Sequence, residues 1–132
     1  MVRIPDSHID LLTRPIVVTL VTVMPDGQPQ ATPVWADTID GMVRVNTAAG
    51  RQKDKNLRER PMATVLAIDP ENPMRWIEIR GKVVYESEGD DRAVIDKLAR
   101  DYVGGDGYPW HNDADRRVTF HIAPTRVVTS AE

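Results

Sequence analysis

Five basic residues, Arg51, Lys53, Lys55, Arg58 and Arg60, fall within the stretch NTAAGRQKDKNLRERP at 46–61, opposed there only by Asp54 and Glu59. The whole chain has a formal net charge of −3, so the stretch is a local excess against an acidic background. A run of this kind is either a solvated helical face or an anion grip. Two features favour the grip. The cluster is short of balancing carboxylates, and it follows Asn46-Thr47-Ala48-Ala49-Gly50, small and polar residues at a strand end. Hydroxyl, amide and main-chain N–H donors gather in such a place, and arginine and lysine add charge-assisted hydrogen bonds to phosphate. On a helical wheel Arg51, Lys55 and Arg58 share one face, and Lys53 points away from Arg51. The chemistry indicated is binding of a phosphorylated small molecule. A nucleic acid would want a positive field over a whole face, which an acidic chain lacks.

Other chemistries are missing. There is no G-x-G-x-x-G and no phosphate-loop motif. Serine occurs at 7, 87 and 130, none in a nucleophile elbow. His8, His111 and His121 are scattered without metal-ligand spacing. His121 reads as a satisfied structural histidine in a strand, whereas His111 lies in a glycine-rich loop where a ligand could reach it. Trp35 and Trp76 are either core residues or the wall of a site for a flat ligand. Trp110, among glycines and prolines, suits a pocket lid or a subunit contact. No side chain is expected as a catalytic nucleophile, acid or base, and no metal site is expected.

The elements that must carry these residues are mostly strands. Ile16–Met24 is rich in β-branched residues and ends at the turn Pro25-Asp26-Gly27. Gln28–Asp37 reads as the returning strand, with Pro33 marking an edge or a bulge. Asp40-Gly41 makes a tight turn into a third strand, Met42–Thr47. A short helix is expected over Arg51–Arg60 between Gly50 and Pro61, followed by strands at Met62–Ile68 and Met74–Glu86. Val94, Ile95, Leu98, Ala99 and Tyr102 recur at helical spacing within Asp90–Val103. Strands at Arg117–Ala123 and Arg126–Thr129 finish the chain, and Asp6–Thr13 forms a short helix near its start. Together these predict a mainly β protein: a six- to seven-stranded antiparallel barrel with peripheral helices.

With 132 residues, one domain over 1–132 is expected. The absence of cysteine excludes disulfides and thiolate chemistry and fits a reducing interior. No apolar run is long enough to span a bilayer, and the N-terminus has no signal-peptide core. A cytoplasmic protein is expected.

With these residues placed, the chain resembles the split-β-barrel flavin/deazaflavin oxidoreductases, the superfamily of pyridoxamine 5′-phosphate oxidase. Within it the chain is most similar to the actinobacterial-type branch that uses the deazaflavin coenzyme F-420. VVTLVTVMPDGQPQATPVW resembles the group's strand–turn–strand opening, and RVNTAAGRQKDKNLRERPMATVLAID its cofactor segment. WIEIRGKV and RRVTFHIAPTRVV match the later strands. The resemblance covers nearly the whole chain and implies an FMN-binding-like split barrel. It also implies a homodimer with two cofactor sites at the subunit interface.

Carried onto this sequence, the resemblance puts Arg51 and Lys53 at the phosphate, with Gln52 between them. Asn46 and Thr47 fall at the strand end that approaches the phosphate or the linker. Pro33, Val34 and Trp35 flank the ring. Asn56 is implied to hold the helix against the barrel. Trp76 and the Tyr108–Trp110 segment are implied to reach the site from the other subunit. The implied reaction is hydride transfer from the reduced deazaflavin to an electron-poor organic acceptor of enone, quinone or tetrapyrrole type. Two alternatives remain on these residues. One is an FMN-dependent oxidoreductase, since both cofactors carry a ribityl phosphate. The other is a non-catalytic protein that binds the deazaflavin, or binds heme through His111 or His121.

Overall fold

The computed structural model describes residues 1–131. Its elements in chain order are α1 (Asp10–Thr13), β1 (Val18–Val23), β2 (Pro29–Val34), β3 (Ala36–Ile39) and β4 (Met42–Ala48), then α2 (Gln52–Glu59), β5 (Met62–Ile68), β6 (Trp76–Glu86), α3 (Arg92–Val103) and β7 (Arg117–Thr129). All seven strands form one antiparallel sheet in the order β2-β1-β5-β6-β7-β4-β3. The two edge strands are neighbours in sequence, joined by Trp35 alone. The sheet therefore curls until its edges meet at one corner, making the expected split barrel. At that seam no hydrogen-bond ladder joins β2 to β3.

Alternation along the strands builds the core. Val18, Leu20 and Thr22 of β1 point inward, and so do Ala63, Val65 and Ala67 of β5 and Ile77 and Ile79 of β6. Phe120, Val118 and Ile122 of β7 join them, and Leu11, Leu12 and Leu57 close the barrel from α1 and α2. Fully burying each Val, Leu, Ile or Phe among them contributes about 1.5–3 kcal/mol. Asp40 and Gly41 both adopt positive φ (51° and 79°), as the two-residue hairpin between paired Ile39 and Met42 requires. Pro33 lies on an edge strand, where its missing N–H leaves no ladder bond unmade.

Three expectations change. The strand read as Gln28–Asp37 is two strands, because the chain leaves one sheet edge at Val34 and joins the other at Ala36. The two terminal strands are one, β7. Its pairing with β6 steps from Arg80↔Arg126 to Gly81↔Pro124, so Thr125 is the extra residue of a bulge that also accommodates Pro124. A Cβ on Gly81 would stand 2.5 Å from the Ala123 carbonyl oxygen, so only glycine lets the strands approach there. The first helix keeps only its last turn, preceded by turn residues.

α3 packs Ile95, Leu98 and Ala99 inward and carries Tyr102 to the seam. The Tyr102 hydroxyl accepts from Ala36 N at 3.0 Å and donates to Ile16 O at 2.7 Å. That one side chain stitches the approach to β1 to the start of β3. Among the described residues no helix is long and apolar enough to cross a membrane.

Candidate cofactor site

The seam holds a cavity of about 300 Å³, in the size range of small-molecule sites. Val17, Pro33, Val34 and Trp35 line it from the corner where β1 begins and β2 ends, and Asn46 and Thr47 from the end of β4. Arg51 and Lys53 enter from the start of α2, Ile95 from α3, Tyr108 and Trp110 from the loop after α3, and Arg117 from the first position of β7. The topology explains the location: the gap lies where the sheet's two edges meet without a ladder.

One side of the cavity is cationic. Arg51 caps α2 with extended backbone (φ −68°, ψ 157°), so it is not on the helix and the expected wheel does not apply to it. Arg51 and Lys53 consequently face the same space rather than opposite ones. Neither has a carboxylate within ion-pair distance among the described residues, and the same holds for Arg117. Burial, and then repulsion from Arg51 and Arg117, pulls the Lys53 ammonium below the usual lysine range. The Arg51 side chain does not cap α2; the carboxylate in the helix's first turn, Asp54, accepts from Gly50 N at 2.8 Å and pairs with Arg58. Lys55 is exposed and does not line the cavity, whereas the last two cations of the stretch are committed elsewhere. Arg58 donates to buried Asp54 at 2.8 Å and pairs with Glu86 at 3.3 Å. Arg60 donates to Val23 O at 2.7 Å and to Asn56 Oδ1 at 3.2 Å, and pairs with Glu59. The shortage of carboxylates inferred for the whole stretch therefore does not extend to its end.

The other side is aromatic. Trp35 stacks on Tyr102 (ring centroids 5.3 Å apart, interplanar angle 18°) and meets Tyr108 edge-on at 6.2 Å. Tyr108 in turn meets Trp110 edge-on at 5.7 Å. Trp110 is 62% exposed and Val17 57%, so the rim of the cavity is apolar and open. Asp96 of α3 anchors the loop through its Oδ1, which accepts from Tyr108 N and bonds His111 Nε2, each at 2.8 Å.

Eight of the ten residues singled out from the sequence line this one cavity: Lys53, Arg51, Asn46, Thr47, Pro33, Val34, Trp35 and Trp110. Gln52 does not. Its amide turns under α2 and donates to Asn56 Oδ1 at 2.8 Å, because the helix start places 52 on the barrel side. Trp76 does not either. It opens β6 opposite Ile68 and donates its N–H to Ser130 Oγ, away from this chain's seam. Asn56, read as structural, is fully buried and donates to Thr22 Oγ1 at 3.0 Å, fastening α2 to β1. His111 is tied to Asp96, and His121 stacks on Tyr85 at 4.3 Å; neither lines the cavity. Among the described residues no cluster could hold a metal ion. Arg117, Val17 and Ile95 were missed. The successive arginines of RRVTFH carried a signal for Arg117, since strand alternation turns one of two adjacent residues inward.

The pyridoxamine 5′-phosphate oxidase family model matches residues 4–131. Among solved structures, an F420 reductase is 33% identical and superposes with a TM-score of 0.83, covering 95% of this chain and 98% of that one. A conserved hypothetical protein from Mycobacterium tuberculosis is 24% identical with a TM-score of 0.74, covering 98% of this chain and 86% of that one. HutZ, a heme storage protein from Vibrio cholerae, shares the fold at 15% identity and a TM-score of 0.70, covering 97% and 95%. No curated protein matches the sequence.

Proposed function

The chain belongs to the pyridoxamine 5′-phosphate oxidase family, and from that premise we propose that it is an oxidoreductase working through the deazaflavin coenzyme F-420. One observation carries the reading. A single cavity joins three cations lacking carboxylate partners to an aromatic wall, the two features that a flat ring on a phosphorylated chain would need. The 33% identity to an F420 reductase over nearly the full chain supports the deazaflavin over FMN. Surplus charge supports it too, since a glutamate tail adds anions beyond the phosphate.

Arg51 and Lys53 would hold phosphate oxygens by charge-assisted hydrogen bonds. Pro33, Val34 and Trp35 would bound the ring, with Tyr108 and Trp110 across the opening. When bound and reduced, the deazaflavin supplies a hydride to an electron-poor organic acceptor, of the enone, quinone or tetrapyrrole type. The cavity lining contains no carboxylate and no histidine. The chain's own contribution is charge and orientation, and the titratable side chains on the lining are its cations and Tyr108. We place the protein as a homodimer, with the second copy covering the exposed Val17–Trp110 rim.

Titrating the purified protein with oxidised coenzyme F-420 and, separately, with FMN, followed by fluorescence, tests the reading. Micromolar or tighter binding of the deazaflavin, with FMN weak, is expected. Preference for FMN would move the protein to the flavin enzymes of its family, and binding of neither would remove the cofactor reading. Sedimentation velocity tests the dimer, for which a single monomeric species is the contrary result.

A further inference from the structure

Arg117 is 6% exposed, yet it sits at the cavity with no carboxylate beside its guanidinium. Its backbone is clamped from both directions: Arg117 N donates to Asp90 Oδ1 at 2.8 Å, and Arg117 O accepts from Asp91 N at 2.9 Å. Its side chain is clamped once, by Nε donating to Asn46 Oδ1 at 2.8 Å, and the guanidinium lies over the Tyr108 ring, with Cζ 5.2 Å from the centroid. The two terminal nitrogens have no hydrogen-bond partner among the described residues. No buried side-chain nitrogen or oxygen among these residues lacks a partner, so those nitrogens are not sealed off and look into accessible space. The space beside them is the cavity.

Asn46 explains the arrangement. Its Nδ2 spends both hydrogens, on Thr119 Oγ1 at 2.9 Å and on Asp91 O at 3.3 Å. These partners fix which end of the amide is nitrogen, because a carbonyl accepts and Arg117 Nε donates. The Asn46 side chain has no donor left for an anion. What remains facing the ligand is the edge of Arg117, a rigid fork whose paired donors suit two oxygens of one phosphate.

We propose that Arg117 is the third anion-holding residue of the site, gripping coenzyme phosphate through its terminal nitrogens, and that Asn46 is its positioning residue. This rests on the cofactor reading above. Repulsion among Arg51, Lys53 and Arg117 is relieved only when an anion enters, so an empty cavity is electrostatically primed for phosphate. Asp90 and Asp115 attract Arg117 from beyond ion-pair distance and do not cancel it.

The test compares ligands that differ only in phosphate: FMN against riboflavin, and coenzyme F-420 against its phosphate-free deazariboflavin head. Arg117→Gln is expected to shrink the affinity gained from phosphate by about tenfold or more, with the phosphate-free ligand bound as before. Arg117→Lys keeps the charge but not the fork or the Asn46 bond, and should restore part of the gain. Asn46→Ala leaves Arg117 in place but unfastened, and should fall between wild type and Arg117→Gln. Equal weakening of both members of a pair would mean that Arg117 only supports the fold and would overturn the proposal, as would no change. If wild type binds no flavin or deazaflavin, the cofactor reading fails separately. Pyrophosphate, read by tryptophan fluorescence, then decides: quenching that Arg117→Gln and Arg117→Lys weaken supports an anion site, and its absence in wild type overturns it.

Discussion

Arg51 and Lys53 face a cavity with no carboxylate in its lining, whereas Arg58 and Arg60, at the other end of the same helix, are bound to Asp54, Glu86, Glu59 and the Val23 carbonyl. Composition is nearly the same at both ends of α2. The difference lies in what other strands bring to each end. At the start, β4 and β7 bring Thr47 and Arg117, so charge accumulates unneutralised. At the end, β1 and β6 bring a backbone oxygen and a carboxylate, so charge is spent on holding the helix. A basic run is therefore not one unit; the packing around it divides it into a part that faces the cavity and a part that fastens the helix.

The comparison can be broken at its fulcrum. Asn56→Ala removes a fully buried amide that serves Thr22 from one end and Gln52 and Arg60 from the other. It should cost about 2–4 kcal/mol of stability, because buried partners are left unpaired, measured as a lower urea midpoint with unchanged slope. If the midpoint holds, α2 is not fastened through Asn56. Lys53→Ala should weaken coenzyme binding by about 1.5–3 kcal/mol, the range for a hydrogen bond to a charged group. The urea midpoint should barely move. Unaltered affinity would remove Lys53 from the grip. Arg60→Ala should do the reverse, costing about 1–2 kcal/mol of stability by orphaning the Val23 carbonyl while leaving coenzyme affinity in place.

The pH dependence is the smaller effect and sharpens the contrast. The Lys53 pKa is lowered in the free protein, so the folded chain holds fewer protons than the unfolded one between the two pKa values. Unliganded stability should therefore rise with pH through that window. Coenzyme affinity should fall over the same window as Lys53 loses its charge, and binding should take up a proton. Calorimetric titrations in alkaline buffers of different ionisation enthalpy measure that uptake. It should vanish in Lys53→Arg, whose charge does not titrate there.

Much of the fold was readable because strand alternation and turn chemistry are local. Asp26-Gly27 and Asp40-Gly41 dictate their hairpins, and Met62–Ile68 appears with the bounds its pattern suggests. The break at Trp35 was not readable, since nothing local separates a strand that continues from one that changes sheet edge. Arg51 and Lys53 were legible as site candidates from charge and the small residues before them, and both line the one cavity. Their common orientation was not, because it depends on Arg51 lying outside the helix. Arg117 and the bonds of Asn46 were hidden for a different reason. Each is defined by partners some seventy positions away, Asn46 being bonded to Arg117 and Thr119.

The link through Trp35 has a mechanical side. Two trans peptide units set the reach between Val34 and Ala36, so the edges of the sheet stay within about 7 Å of one another at that corner. Away from it, the two edge strands are held by different partners: β2 by β1 and by Asn56 of α2, which donates to Gln30, and β3 by β4 and by Lys97 of α3, which pairs with Asp37. The opening is a wedge whose apex is set by the covalent chain and whose two sides belong to different parts of the molecule. One linking residue thus gives the scaffold a corner of set width beside a mouth whose lining comes from separate elements.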